Sequence, residues 1–352
     1  MIADLIPESF FKGLEADSSW ALWLLAVGAI AVLVFGADRA VGAAVRLASV
    51  LGMSKVIIGA TVVSLGTTSP EAFTSVTAAF QDKPGLALGN GVGSIICDTA
   101  LVFGLCCCIR RLPLNRFVLN RHGWLQLAAG TLLTVVILVL AAVAGRLGGV
   151  VIPRPVGFVF VALLLGYLYV SVRWAREHPE IVQEKARKAG PGAEHRLRRA
   201  LVNLLVLAVG LGLVVFGSNV LVGSASALCH RYGVPENVLA VTLVAFGTSL
   251  PELVTAIASL VKGHAELLVG NIVGADILNV LFVIGASAAA SPLKVAGEFF
   301  YLHLPVMMLV LILLRAFIFI SGDRFHRWQG AVLLAIYVGY YAVLVVGFGV
   351  GR

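Results

Sequence analysis

The sequence predicts an all-α integral membrane protein, with ten transmembrane helices arranged as two inverted five-helix repeats. Three observations predict it. First, 60% of the 352 residues are hydrophobic and only 12% are charged, with a mean hydropathy of +1.00. Soluble domains carry about 25% charged residues, so most of this surface cannot face water. A soluble enzyme, a disordered chain and a small disulfide scaffold are excluded. Second, apolar runs recur at the length of roughly 20 residues that a spanning helix needs. Third, one half of the chain repeats the other.

Residues 1–18 carry Asp4, Glu8, Glu15 and Asp17 and lack a basic leader, so they read as a short amphipathic lead-in and not as a cleavable signal. The first span, 19–51, is long and mixed in its second half, which suits a tilted helix. Spans follow at 55–80, 85–109, 119–145 and 153–175. After a polar gap come 199–229, 235–261, 265–289, 299–320 and 327–350. The runs are continuous and rich in Leu, Ala and Val. Helices satisfy their own backbone in lipid, so strands are not expected.

The gap from Arg173 to Arg199 holds eight Lys/Arg and four Glu around Gly190-Pro191-Gly192. It is too short for a soluble domain. The chain therefore divides into a first repeat, 1–175, a cytoplasmic basic linker, 176–198, and a second repeat, 199–352. With the linker inside and sides alternating, 19 of the 26 Lys/Arg fall inside and seven outside. That bias supports ten spans with both termini extracytoplasmic, in the cell (inner) membrane. The net charge of +8 then sets orientation beside anionic lipid and does not mark a nucleic-acid binder. Membrane lipid is the expected surrounding, and no obligate protein partner is evident. Cys97, Cys106, Cys107, Cys108 and Cys229 lack CxxC or Cys/His spacing and read as small packing residues.

Residues 59–104 align without gaps on 240–285, at an offset of 181, with 15 identities in 46 positions. The match places Gly66/Gly247, Thr67/Thr248, Pro70/Pro251, Glu71/Glu252, Gly89/Gly270, Asn90/Asn271 and Gly93/Gly274 in register. Each half holds five spans, an odd number, so the halves enter the membrane from opposite sides. In such inverted repeats the site lies near the midplane where the halves meet.

Gly66-Thr67-Thr68-Ser69-Pro70-Glu71 and Gly247-Thr248-Ser249-Leu250-Pro251-Glu252 lie inside apolar spans. Proline removes a backbone donor and clashes with the carbonyl four residues back. The helix is expected to open there and release carbonyl oxygens. Thr67 and Glu71 are four apart, as are Thr248 and Glu252, which puts hydroxyl and carboxylate on one face. One span on, Ser94 and Asp98 repeat the spacing, with Ala275 and Asn279 as their counterparts. These oxygens are hard ligands suited to Ca²⁺ and Na⁺. Empty buried carboxylates are costly, so the site must carry cations, or protons once cations leave. Asp38 reads as a local salt pair with Arg39. Asp276 reads as a packing or secondary residue, and the seven His as solvated or interfacial.

These residues carry a resemblance. The paired GTTSPE…GNGVGSIICD and GTSLPE…GNIVGADILN resemble the two alpha-repeats of the sodium/calcium exchanger family, within the cation/Ca²⁺ antiporter superfamily. The short linker resembles that of compact prokaryotic members. The resemblance implies a non-enzymatic antiporter without a cofactor, exchanging Ca²⁺ for Na⁺ at a diamond of the second, third, seventh and eighth helices. It implies that Glu71 and Glu252 are shared by Ca²⁺ and Na⁺ sites and that Thr67 and Thr248 give oxygens to Ca²⁺. It places the carbonyls of Ser64 and Ala245, with Ser94, Thr248 and Ser249, at flanking Na⁺ sites, and Asp98 and Asn279 at the centre. The long first and sixth helices would slide to alternate access. Two departures stand out. Asp98 and Asn279 are exchanged relative to some members, and Ala275 lacks the hydroxyl of Ser94. The second departure leaves Ca²⁺/H⁺ or K⁺-coupled exchange open as the alternative.

Overall fold

The computed structural model describes residues 19–81, 83–147, 149–177, 193–232 and 247–347. The lead-in 1–18, Ala245 and most of the linker lie outside the described residues. Along the chain run α1 (Ser19–Leu51), α2 (Lys55–Phe80), α3 (Pro84–Ile109) and α4 (Arg116–Ala144). Then come α5 (Arg154–Glu177), α6 (Ala193–Arg231) and α7 (Leu250–Val261). The last are α8 (Ala265–Ala290), α9 (Phe299–Ile320) and α10 (Arg327–Gly347).

Eight of these helices are long and apolar enough to cross a membrane. The described part of α7 is 12 residues, and the N-terminal part of its expected span lies outside the described residues. Strands were not expected, yet Val150–Ile152 (β1) and Leu293–Val295 (β2) pair antiparallel, with Val151 opposite Lys294. β1 is wholly β-branched and β2 ends on Val295, and both lie in turns between helices, where short pairing satisfies backbone groups that no helix covers.

Burial separates a centre from a periphery. In their most apolar stretches α2, α3 and α8 are 67%, 72% and 94% buried, against 28% to 33% for α1, α4, α5 and α6. The centre is tightly built because small residues let backbones meet. A Cβ on Gly270 would lie 2.1 Å from the Val56 carbonyl oxygen, and one on Gly274 would lie 2.5 Å from Ala60 Cα. The pairs 56/270 and 60/274 rise together, so α2 and α8 run parallel there.

Outside this centre α1 and α6 pack along each other in the opposite sense. Gly36 meets Gly210, Gly217 meets Ala29, Arg46 Nε donates to Asn203 Oδ1 (2.8 Å) and Arg196 Nε donates to the Val50 carbonyl (2.7 Å). As one number rises the other falls, so the two long helices are antiparallel.

Matched details recur in the two halves. The helix-starting Arg154 caps the Ala290 carbonyl (3.0 Å), and Arg327 caps the Ile109 carbonyl (3.2 Å). Lys294 pairs with Val151, while Pro113 forms an isolated bridge with Arg324. Residues 109 and 113 are 181 short of 290 and 294, the offset of the sequence repeat.

Two expectations are corrected. Asp38 pairs not with Arg39 but with Lys262 at the end of α7 (Nζ to Oδ1, 2.7 Å), while Arg39 lies over the Phe35 ring. Neighbours in a helix diverge by about 100°, so Arg39 points elsewhere. His122 is buried, not interfacial: its Nδ1 meets the Tyr167 hydroxyl at 3.3 Å, and the rings of Tyr167 and Trp174 on α5 pack edge-on against it. Cys97, Cys106, Cys107 and Cys108 are free thiols.

Candidate cation site

The duplicated motifs lie in the buried centre. Glu71, Asp98, Glu252 and Asn279 are each 1% exposed, and Thr67, Ser64, Ser94 and Ser249 are also buried. Glu71 stands on α2, Asp98 on α3, Glu252 in the first turn of α7 and Asn279 on α8. The three carboxylates lie within electrostatic reach of one another.

Local helix irregularities frame the acids. Cys97–Phe103 in α3 and Asn279–Ile284 in α8 are π-helical, so the wide turns begin beside Asp98 and at Asn279. A third π-helical stretch, Gly59–Val63, leads into the α2 motif. Wide turns of this kind misalign backbone ladders and are frequent at functional sites. The expected opening at the Gly-Thr…Pro-Glu motifs differs between the halves. Thr248 and Ser249 form a turn before α7, with Pro251 in its first turn, whereas Pro70 lies inside a continuous α2.

Hydrogen bonds tie the halves together crosswise. Thr67 Oγ1 donates to Asn271 Oδ1 (3.5 Å), and Thr248 Oγ1 donates to Asn90 Oδ1 (3.1 Å). Each threonine is thus braced by the asparagine of the other half. Asn90 Nδ2 also donates to the Glu71 carbonyl (3.2 Å) and to Ser75 Oγ (2.9 Å). Thr68 Oγ1 donates to Glu252 Oε1 (3.4 Å), a direct link between the two motifs. Asn90, Asn271 and Thr68 had no assigned role in the sequence reading, although the two asparagines were visible as a matched pair.

The remaining oxygens lack donors. Both carboxylate oxygens of Glu71 and of Asp98, Oε2 of Glu252, the hydroxyls of Ser94 and Ser249 and Oδ1 of Asn279 are buried without a hydrogen-bond partner. Native proteins rarely leave buried polar atoms unpaired. Unpaired oxygens from four helices, carboxylate, amide and hydroxyl together, form a donor set that a hard cation would satisfy. Among the described residues no cluster of three His, Cys, Asp or Glu has the form of a resident metal centre. The acids are instead interleaved with amides and hydroxyls.

The Ser64 carbonyl already accepts the Thr67 hydroxyl (3.3 Å), and Ala245 lies outside the described residues. Ala275 presents a fully buried methyl where the first half has Ser94. Beside it, Asp276 is buried and accepts hydrogen bonds on Oδ2 from Thr99 Oγ1 and Gln126 Nε2, while its Oδ1 has no partner. This fourth buried carboxylate is more than a packing residue in its chemistry, because it brings α4 into the polar centre.

Comparison with known proteins agrees with this architecture. The family model "Sodium/calcium exchanger protein" matches residues 20–173 and 202–346. The chain is 30% identical over 321 residues to inner membrane protein YrbG of Escherichia coli, covering 91% of this chain and 95% of that one. It is 27% identical over 347 residues to sodium/calcium exchanger MaX1 of Methanosarcina acetivorans, covering 92% and 98%. A solved structure of the sodium-calcium exchanger NCX_Mj, soaked with Na⁺ and Sr²⁺, superposes with a TM-score of 0.75 at 26% identity, covering 92% of this chain and 99% of that one.

Proposed function

This chain belongs to the sodium/calcium exchanger protein family, and from that premise we propose that it is a secondary-active antiporter exchanging Ca²⁺ for Na⁺ by alternating access. It is a transporter and not an enzyme, and Ca²⁺ and Na⁺ are its substrates. The observation that carries the proposal is the set of buried, unpartnered oxygens on Glu71, Asp98 and Glu252, supported by Ser94, Ser249 and Asn279. In this reading Glu71 and Glu252 face each other across the two halves and are shared by Ca²⁺ and Na⁺. Thr67 and Thr248, held by Asn271 and Asn90, present oxygens to Ca²⁺. Ser94, Ser249 and the Ser64 and Ala245 carbonyls flank the centre as Na⁺ ligands, and Asp98 and Asn279 complete it.

Charge accounts for coupling. Three carboxylates leave a formal charge of about −3, which cannot stay uncompensated in a low-dielectric core. Moving the site between the two membrane faces therefore requires cations in it. Ca²⁺ leaving on one face must be replaced before the return, which is exchange.

The fold proposal is ten spans in two inverted repeats, 1–175 and 199–352, joined by a cytoplasmic linker at 176–198, with both termini extracytoplasmic in the cell membrane. The antiparallel α1/α6 pair and the matched arginine caps support it. A second reading, Ca²⁺/H⁺ or K⁺-coupled exchange, is favoured by the Ala275 methyl and by Asp276 next to it. Uptake of labelled Ca²⁺ into proteoliposomes under separately imposed Na⁺, K⁺ and pH gradients tests both. Uptake driven by the Na⁺ gradient alone is expected. Uptake that ignores Na⁺ and follows pH or K⁺ selects the second reading.

A further inference from the structure

The turn joining α3 to α4 and the turn joining α9 to α10 lock together. Leu114 N donates to the Asp323 carbonyl (2.8 Å), Phe325 N to the Leu112 carbonyl (2.8 Å) and Arg116 Nη2 to the Ser321 carbonyl (2.8 Å). Buried Gln329 accepts from the His326 amide (2.8 Å) and bonds Ser321, fixing the second turn from within. Between these turns opens a recess of about 460 Å³, lined by Arg111, His326, Arg327 and Trp328. We propose that this recess binds the phosphate headgroup of an anionic phospholipid.

Charge supports a phosphate. The two turns carry Arg110, Arg111, Arg116, Arg324, His326 and Arg327 against one acid, Asp323. Among the described residues no carboxylate pairs with Arg111, Arg324 or Arg327. Position supports a lipid. The recess lies where two apolar spans end, Ile109, Phe319 and Ile320 are exposed at those ends, and Trp328 lining the recess is exposed too. Tryptophans collect at headgroup level, and basic pockets between spans on one membrane face recognise anionic headgroups.

The other half of the molecule shows that these charges are not needed for the fold. There the same arginine cap and the same pairing of two turns occur, from Arg154 to Ala290 and from Val151 to Lys294. By the repeat offset the positions matching Arg110 and Arg111 are Ser291 and Pro292, and in the turn pairing Val151 stands where Arg324 does. Orientation in the membrane requires basic residues on one side, but it does not require Arg111, His326 and Arg327 to line one recess.

The test is equilibrium binding of phosphatidylglycerol and of phosphatidylcholine to the purified full chain in neutral detergent, read by native mass spectrometry. Phosphatidylglycerol is expected to bind about tenfold more tightly, and Arg111→Gln to lose about fivefold, as expected from ~1 kcal/mol per basic residue near the headgroups. Arg111→Lys should restore most of the loss, and unchanged melting temperatures in lipid-free detergent show that the variants are folded. Arg324→Gln, expected to weaken binding in the same direction, serves if Arg111→Gln is poorly made. Equal binding of the two lipids, full binding by both glutamine variants, or displacement of the lipid by millimolar inorganic phosphate would each overturn the proposal. None of these readouts depends on transport.

Discussion

Asn90 and Asn271 carry more structure than their place in the sequence repeat discloses. The offset of 181 shows which residues correspond, and so it brought out Glu71, Glu252, Asp98 and Asn279. It does not show which residues meet. Each asparagine reaches the threonine of the other half, a crossing that exists only once the helices are packed. Asn90→Ala removes an acceptor of Thr248 and the side-chain amide that donates to the Glu71 carbonyl and to Ser75. Leaving buried groups unpaired costs about 1–3 kcal/mol, so a clear drop in melting temperature in detergent is expected, together with weaker Ca²⁺ binding by isothermal titration. Asp98 and Asp276 were separable in sequence only by the repeat. Asp276 sits opposite Ile95 in register, and its partner Gln126 lies 150 residues away, beyond any local pattern.

At the scale of elements, most helices were legible because a bilayer imposes their length, and their ends fell within a few residues of expectation. The π-helical turns beside Asp98 and at Asn279 were not, since an extra residue per turn leaves no periodic trace in a uniformly apolar run. The start of α6 falls in the linker, where a stub of exposed helix was expected. Ala193 to Arg198 read as linker by charge, but they are mostly good helix formers and extend the span outward. Close packing makes a sharp prediction. Gly270→Val puts a branched side chain onto the Val56 backbone, so folded yield after detergent extraction should fall steeply. Gly166→Ala, where nothing lies within 4 Å, should be tolerated. The α7–α8 turn gives a pH effect. Burial, then the ammonium groups of Lys55 and Lys262, hold the His264 imidazole below its ordinary value. The folded state therefore disfavours its protonation, and stability present above the unfolded value of about 6.5 is lost as pH falls through it. Melting curves from pH 8 to pH 5 should show a smaller acid loss for His264→Gln than for the parent. Equal losses would free His264 of this role.

At the scale of the whole molecule, sequence and structure agree on a helical membrane transporter, and the two halves of the sequence repeat differ in their helix breaks. The repeat predicts equal helix breaks, yet Pro70 is absorbed within α2 while Pro251 begins α7. The proposed inverted topology has a direct test. In a background lacking the native cysteines, Arg198→Cys should react with a membrane-impermeant maleimide only from the cytoplasmic side, and Arg146→Cys only from the opposite side. Labelling of both from one side would contradict five spans per half. The central claim is that Glu71 and Glu252, one from each half, jointly hold the exchanged ion. Its most direct test is Na⁺-gradient-driven uptake of labelled Ca²⁺ into proteoliposomes by the parent, Glu71→Gln and Glu252→Gln, at matched reconstituted amounts. Robust uptake by the parent and loss of at least about a hundredfold in each variant are predicted, as expected when more than ~2.7 kcal/mol of charge stabilisation is removed from an ion that must be desolvated. Near-parental uptake by either variant would contradict a shared site.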